Sequence, residues 1–454
     1  MIYLDNAATT PVRREALEAM WPQLNGFGNP SSHHQVGEAA AAALLEARRS
    51  VARTLGCRPG EVTFTSGGTE SDNLAIKGIA LGAPRGRHIV TTSIEHEAVL
   101  ESCDYLSRLH GFQITLLPVD TAGRVTPEAL ARAVRPDTTL ISVHYANNEV
   151  GTVQPLVELA AVARAAGVPI HTDAVQAGGW LDLNISTLGV DALSISGHKL
   201  GAPPGIGAVF LRGRLPIEPL LHGGGQERGK RSGTENVAGA LALAAALRLA
   251  GAERTEAARI TSALRDDFIG TVLRETPSAR LTGHPTHRLP GTASFVFPGT
   301  SGEAVLLELE QRGIVCSSGS ACAAGSSEPS HVLLAMGLPA DVALTAVRFT
   351  LGAGTTAAEA ATAAASVRAA VAAVARLGAL RVFVRRRPSR HRSGDTTKRT
   401  PPLTTRVMLR TELLSAAHGD EWVSMPPTGC LPRSNVDRRR VHRSVLCSAG
   451  LSRS

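Results

Sequence analysis

Short apolar runs of strand length alternate with stretches of helical periodicity along the first half of this chain. Residues 62–65, 87–92, 114–119, 139–145, 168–172, 190–195 and 205–212 read as strands. Between them, 36–54, 74–79, 95–109 and 156–166 read as helices, with His96 in the first turn of 95–109. Gly56 and Gly167 close two of these helices. Thr126-Pro127 opens another as N-cap and first helical residue. Repeated βα units predict an α/β fold, with a mainly parallel sheet covered by helices on both faces.

Farther along, alanine-rich helices are predicted over 236–250 and 256–273. Beyond about residue 280 the alternation changes character. Strands are predicted at 291–297, 314–316 and 346–351, and helices at 303–312, 331–336 and 356–377. We therefore expect a large domain over 1–255 and a smaller α+β domain over 256–380, with the N-terminal segment 1–15 near the smaller one. From about Arg381 the chain turns into Arg, Pro, Ser and Thr without periodicity, so 381–454 reads as a disordered tail. No nucleic-acid-binding motif interleaves its charges, which favours a non-native extension over a nucleic-acid-binding arm.

Composition alters this picture mainly at that tail. The formal net charge is +8, but residues 380–454 carry 16 Lys/Arg against 5 Asp/Glu, which leaves the body slightly acidic. Direct nucleic-acid binding is not expected of the body. The six cysteines contain no CxxC pair, so neither a disulfide framework nor a metal site is expected. No apolar run reaches about 18 residues, so no membrane span is expected. Met1-Ile2-Tyr3-Leu4-Asp5 lacks the pattern of a signal peptide, which points to the cytoplasm.

The candidate chemistry gathers just past the predicted strands, where ligands of such sheets bind. Ser194-Ile195-Ser196-Gly197-His198-Lys199 puts a lysine at the end of a strand, among small residues. A desolvated lysine amine forms Schiff bases with carbonyl compounds. Ser66-Gly67-Gly68-Thr69 joins a strand to a helix N-terminus, and backbone N–H groups there suit a phosphate. His96, Asn148 and Asp173 follow three other strands. Taken together, these residues suit pyridoxal phosphate. Gly68, Thr69, Ser196 and His198 would cradle the phosphate, Asp173 would face the pyridine nitrogen, and His96 would stack on the ring and move protons.

The ordered motifs resemble one family. They include Tyr3-Leu4-Asp5-Asn6-Ala7-Ala8-Thr9-Thr10, Phe27-Gly28-Asn29-Pro30-Ser31-Ser32, Asn147-Asn148-Glu149-Val150-Gly151 and Arg348-Phe349-Thr350-Leu351-Gly352. The segments 65–73, 173–176, 196–199, 223–228, 231–234 and 317–322 extend the match to about residue 377. The chain resembles the cysteine desulfurases of the NifS/IscS type, class V of the fold-type I pyridoxal-phosphate enzymes.

The resemblance implies removal of sulfur from L-cysteine, giving L-alanine and a persulfide on Cys322. Lys199 would hold the cofactor as a Schiff base and shuttle protons, and Gln176 would bond the ring hydroxyl. Asn148 would lie by that hydroxyl and the substrate, and Arg348 would clamp the substrate carboxylate. Thr234 would bind phosphate from the other subunit of a homodimer. Sulfur acceptors implied by the family are iron–sulfur scaffold proteins and tRNA-thiolation enzymes. Selenocysteine lyase, another class V activity and a catalytically idle partner-binding relative are the alternatives. Cys322 argues against an aminotransferase, and the pairing of Lys199 with Cys322 argues against an idle relative.

Overall fold

The computed structural model of the protein describes residues 1–319 and 328–385, the last eight by backbone alone. Cys322 and the tail beyond 385 lie outside the described residues. A short first strand, β1 (Ile2–Tyr3), precedes a seven-stranded sheet. That sheet comprises β2 (Val62–Thr65), β3 (His88–Thr92), β4 (Gln113–Leu117), β5 (Thr138–Ser142), β6 (Ile170–Asp173), β7 (Ala192–Ser196) and β8 (Gly207–Leu211). The strand order is β2-β8-β7-β6-β5-β3-β4. Only β8 runs against its neighbours in this sheet, pairing antiparallel with both β2 and β7.

The burial of this sheet accounts for the way its strands read in the sequence. Every residue of β3, β5, β7 and β8 is buried. Strands covered on both faces show continuous apolar runs rather than alternation. Their side chains nevertheless divide with period two. Val90, Ile141, Leu193 and Phe210 enter the core that holds helix Gln35–Leu55 and helix Leu156–Ala165. Their neighbours Ile89, Leu140, Ala192 and Val209 enter the opposite core, with Gly68–Gly82 and Glu97–His110.

Val237–Glu275 is one helix of 39 residues, where the sequence predicts two. No proline interrupts it, and Gly251, between the two predicted segments, costs only about 1 kcal/mol in a helix. Each end is fastened to a different core. Leu243, Leu247 and Ala250 belong to the first, and Phe268, Ile269 and Val272 to a second. The second core lies on β9 (Arg280–Leu281), β10 (Thr292–Val296), β11 (Ile314–Val315) and β12 (Ala346–Thr350). β9, β10 and β12 form one sheet, and β11 pairs in parallel with β1. The rings of Phe268, Phe295 and Phe349 meet there at centroid distances of 5.1–6.2 Å.

The last helix, Ala357–Arg385, outruns the expected end at 377. Leu380, Val382, Phe383 and Val384 continue its apolar character past Gly378, and no proline occurs before Pro388. Over Ala357–Leu377 it is long and apolar enough to cross a membrane. Ala363, Val367, Ala370 and Val374, however, form a buried row against the second core.

Two further features position the functional groups. Residues 4–10 cross from the second core to the first. Leu4 is buried in the second core, Ala7 N–H donates to Thr350 Oγ1 at 2.9 Å, and Thr10 N–H donates to His198 O at 3.0 Å. At the other extreme, β2 is an edge strand, and buried charges cap its open side. Glu227 Oε2 accepts from Phe64 N–H at 3.1 Å, and Arg48 and Arg228 donate to Val62 O at 2.8 and 2.6 Å. Arg48 and Glu227 form a two-pronged pair at 2.6 and 2.7 Å. Glu227 and Arg228 hold φ of 49° and 58°, a conformation that side chains disfavour. Glu227→Ala strands a buried guanidinium and is expected to cost about 3–5 kcal/mol. Urea unfolding measures it, and a loss below about 1 kcal/mol contradicts this account.

Candidate active site

The carboxyl ends of the parallel strands open on a cavity of about 340 Å³. Gly68 and Thr69 reach it from the turn after β2, His96 from the turn after β3, and Asn148 from the loop after β5. Asp173 ends β6, with Gln176 just beyond. Ser196 ends β7, and the single turn Gly197–Lys199 adds His198 and Lys199. Arg348 arrives from β12. These ten candidates share one cavity. Thr234 does not line it and is exposed.

The glycine turn ends in a real anion cradle. Gly68 begins a helix of 15 residues, whose first N–H groups have no acceptor within the helix. A Cβ on Gly68 would come within 2.7 Å of Val175 Cγ2, so only glycine lets the backbone sit there. Glu70 fixes the turn by accepting from Ser66 N–H at 2.8 Å and from Arg231 Nε at 2.9 Å. Burial alone would raise the Glu70 carboxyl, but the bonds from Arg231 and Ser66 hold it below the usual range.

His96 is the N-cap of Glu97–His110 rather than a first-turn residue. Its Nδ1 accepts from Ala98 N–H at 3.0 Å. A neutral His96 therefore carries its proton on Nε2. Asp173 Oδ1 accepts from Val175 N–H at 2.8 Å. Burial raises the Asp173 carboxyl, against the pull of His96 and that N–H. Lys199 Nζ donates to the carbonyl oxygens of Ala7 and Ala8, the latter at 2.7 Å. Gln176 Nε2 donates to the same Ala7 oxygen at 3.0 Å. His198 Nδ1 contacts Thr9 Oγ1 at 3.2 Å, and burial together with the Lys199 charge pushes the ring down to about 4. Both effects favour the neutral ring of His198.

Sequence reasoning missed three elements of this site. Asp72, one turn along from Gly68, is fully buried at the cavity, and its Oδ1 meets no hydrogen-bond donor among the described residues. Burial, and then the field of Asp173, raise the Asp72 carboxyl well above the ordinary range. His144 also lines the cavity, with Nδ1 3.2 Å from Glu95 Oε1. Burial works against its protonation, yet Glu95 leaves it raised. A histidine inside the apolar run 139–145 is the signal that could have found it. The third element, the carbonyls of Ala7 and Ala8, leaves no mark in side-chain chemistry.

This arrangement defines a class. The Aminotransferase class-V pattern matches residues 2–362, and the chain belongs to that family. Within it, the chain is a member of the cysteine desulfurases of the NifS/IscS type. It is 48% identical over 357 residues to the cysteine desulfurase IscS of Dictyoglomus turgidum, which covers 78% of this chain and 90% of that one. It is 46% identical over 359 residues to an IscS-like cysteine desulfurase of Mycobacterium tuberculosis, covering 78% and 91% respectively. A solved NifS-like protein superposes with a TM-score of 0.75 at 37% identity, over 82% of this chain and 99% of the other. A structure described as SspA in complex with cysteine gives 0.69 at 37% identity, over 78% and 100%.

Proposed function

We infer that this chain is a cysteine desulfurase that uses pyridoxal phosphate to take the sulfur from L-cysteine and release L-alanine. The observation that carries the reading is the meeting of Lys199, Asp173, His96 and Arg348 at one cavity, beside the Gly68 turn. The relatives named above support the same activity.

The described residues fit the cofactor. A cavity of about 340 Å³ offers an anion cradle closed to any side chain at Gly68, an amine, an acid and a histidine. The turn at Gly68 and Thr69, with Ser196 and His198, would hold the phosphate. Thr234, exposed in its own chain, would reach the phosphate of a second subunit in a homodimer. Bound there, pyridoxal phosphate supplies an electron sink that weakens the bond between substrate carbon and sulfur.

The chain's own groups supply the rest. Lys199 offers the amine that joins the cofactor and then moves a proton at the substrate carbon. Asp173 would face the ring nitrogen and keep it protonated. His96 would move a second proton through Nε2, and Asn148 would lie beside the ring hydroxyl. Arg348 binds the substrate carboxylate. Cys322 takes up the sulfur as a persulfide for an acceptor protein of iron–sulfur assembly or tRNA thiolation.

The test is incubation with L-cysteine, with released alanine and protein-bound sulfane sulfur measured together. Equal amounts in the first turnover are expected, and an absence of both rejects the reading. Asp173→Asn should retain cofactor but slow alanine release by about 10²–10³-fold, since an amide cannot hold the ring nitrogen protonated. Rates near those of the parent remove Asp173 from that role.

A further inference from the structure

The guanidinium assigned to the substrate carboxylate is already held by a carboxylate of the chain. Asp5 Oδ1 lies 2.8 Å from Arg348 Nη2, with the arginine side chain 3% exposed and the aspartate 17%. Arg348 Nη1 donates to Asn148 O at 2.9 Å and to Gly319 O at 3.4 Å. Arg348 Nε is buried and meets no acceptor among the described residues. A guanidinium has five N–H groups, and carboxylates bind in a fork along one edge. The bonds above engage three of the five. Those left are Nε–H and one N–H of Nη2, two atoms that share an edge, and Arg348 borders the cavity.

Asp5 is itself held by backbone contacts. It follows the buried Leu4 and forms a bridge with Thr350, and its carbonyl accepts from Tyr3 OH and Ala8 N–H, each at 3.0 Å. Its carboxylate therefore projects from a fixed point. We propose that Asp5 is a positioning residue for the substrate clamp. By holding Nη2 it keeps the Nε/Nη2 edge of Arg348 turned to the carboxylate of the incoming amino acid.

Without Asp5 a buried guanidinium loses its ionic partner and turns to other acceptors or draws in a solvent anion. Both outcomes compete with substrate. Asparagine keeps an acceptor oxygen at the same place and so preserves the orientation.

The proposal rests on the function argued above. Its test compares L-alanine with ethylamine, which lacks only the carboxylate, by titrating each into the cofactor-loaded protein and following cofactor absorbance. Asp5→Ala should weaken L-alanine about tenfold and leave ethylamine within about twofold, the loss expected for one charge-assisted contact. Asp5→Asn should recover most of that affinity. In turnover, the KM for L-cysteine should rise with kcat nearly unchanged. Unchanged or tighter L-alanine binding in Asp5→Ala overturns the proposal, as does equal weakening of both ligands or an Asn variant no better than Ala. A parent protein that neither binds L-alanine nor releases it from L-cysteine removes the function and this proposal together. A parent that does both, with Asp5→Ala failing as described, removes only the role of Asp5.

Discussion

Lys199→Ala abolishes covalent attachment of the cofactor and lowers alanine release from L-cysteine by on the order of 10³-fold. Lys199 is the only lysine among the described residues lining the cavity, so no neighbour supplies the amine. It sits on the turn Gly197–Lys199, directly after a strand buried at every residue, so little freedom remains to relocate another group. The fold should survive. The substitution removes bonds to the carbonyls of Ala7 and Ala8 beside a cavity, where water can replace the ammonium. Borohydride reduction followed by dialysis reads the attachment, and urea unfolding reads the fold. Turnover within about tenfold of the parent sinks the assignment.

Cys322→Ser keeps the cofactor and its absorbance change with L-cysteine but forms no persulfide, and alanine release falls by about 10²-fold or more. The other described thiols explain why the role is assigned there. Burial pushes Cys316 up to about 12, with Asp5 adding to the effect, and burial does the same to Cys103 and Cys57. Burial thus disfavours the thiolate, the form that attacks sulfur, at all three. Cys316 also directly follows β11, which is paired with the first strand of the chain. Cys316→Ser should therefore keep most of the activity. Mass spectrometry after brief exposure to L-cysteine decides between them. Added sulfur on the Cys316 peptide alone, or persulfide persisting in Cys322→Ser, reverses the assignment.

The alternation of strands and helices is legible because the inner strands of this sheet are buried on both faces, which makes them near-continuous apolar runs. The direction of β8 is not legible, since a run of apolar residues reads the same both ways. The unbroken helix Val237–Glu275 is hidden for a related reason. Its middle serves neither core, so its periodicity fades where no packing demands it. At the site, Lys199, Asp173 and the Gly68 turn stand out because each puts an unusual residue at or just past the end of a strand. His96 is misread by one position, because a histidine that caps a helix looks like one inside it. Asp5 escapes notice because its partner lies 343 residues away. Ala7 and Ala8 act through main-chain oxygens, which every residue possesses.

The parallel pairing of Ile2–Tyr3 with Ile314–Val315 sets an order of events during synthesis. The amino-terminal residues leave the ribosome first but have no strand to join until residue 314 has followed them. At ordinary elongation speeds that delay is roughly 15–60 s. Asn6 and Ala7 wait longer still, because both bond to Thr350. Until then the segment that receives the Lys199 ammonium lacks its anchors to the smaller sheet, although every strand of the large sheet has already been made. The cofactor cavity therefore acquires its final wall only after residue 350 has been made, well after the last strand of the large sheet.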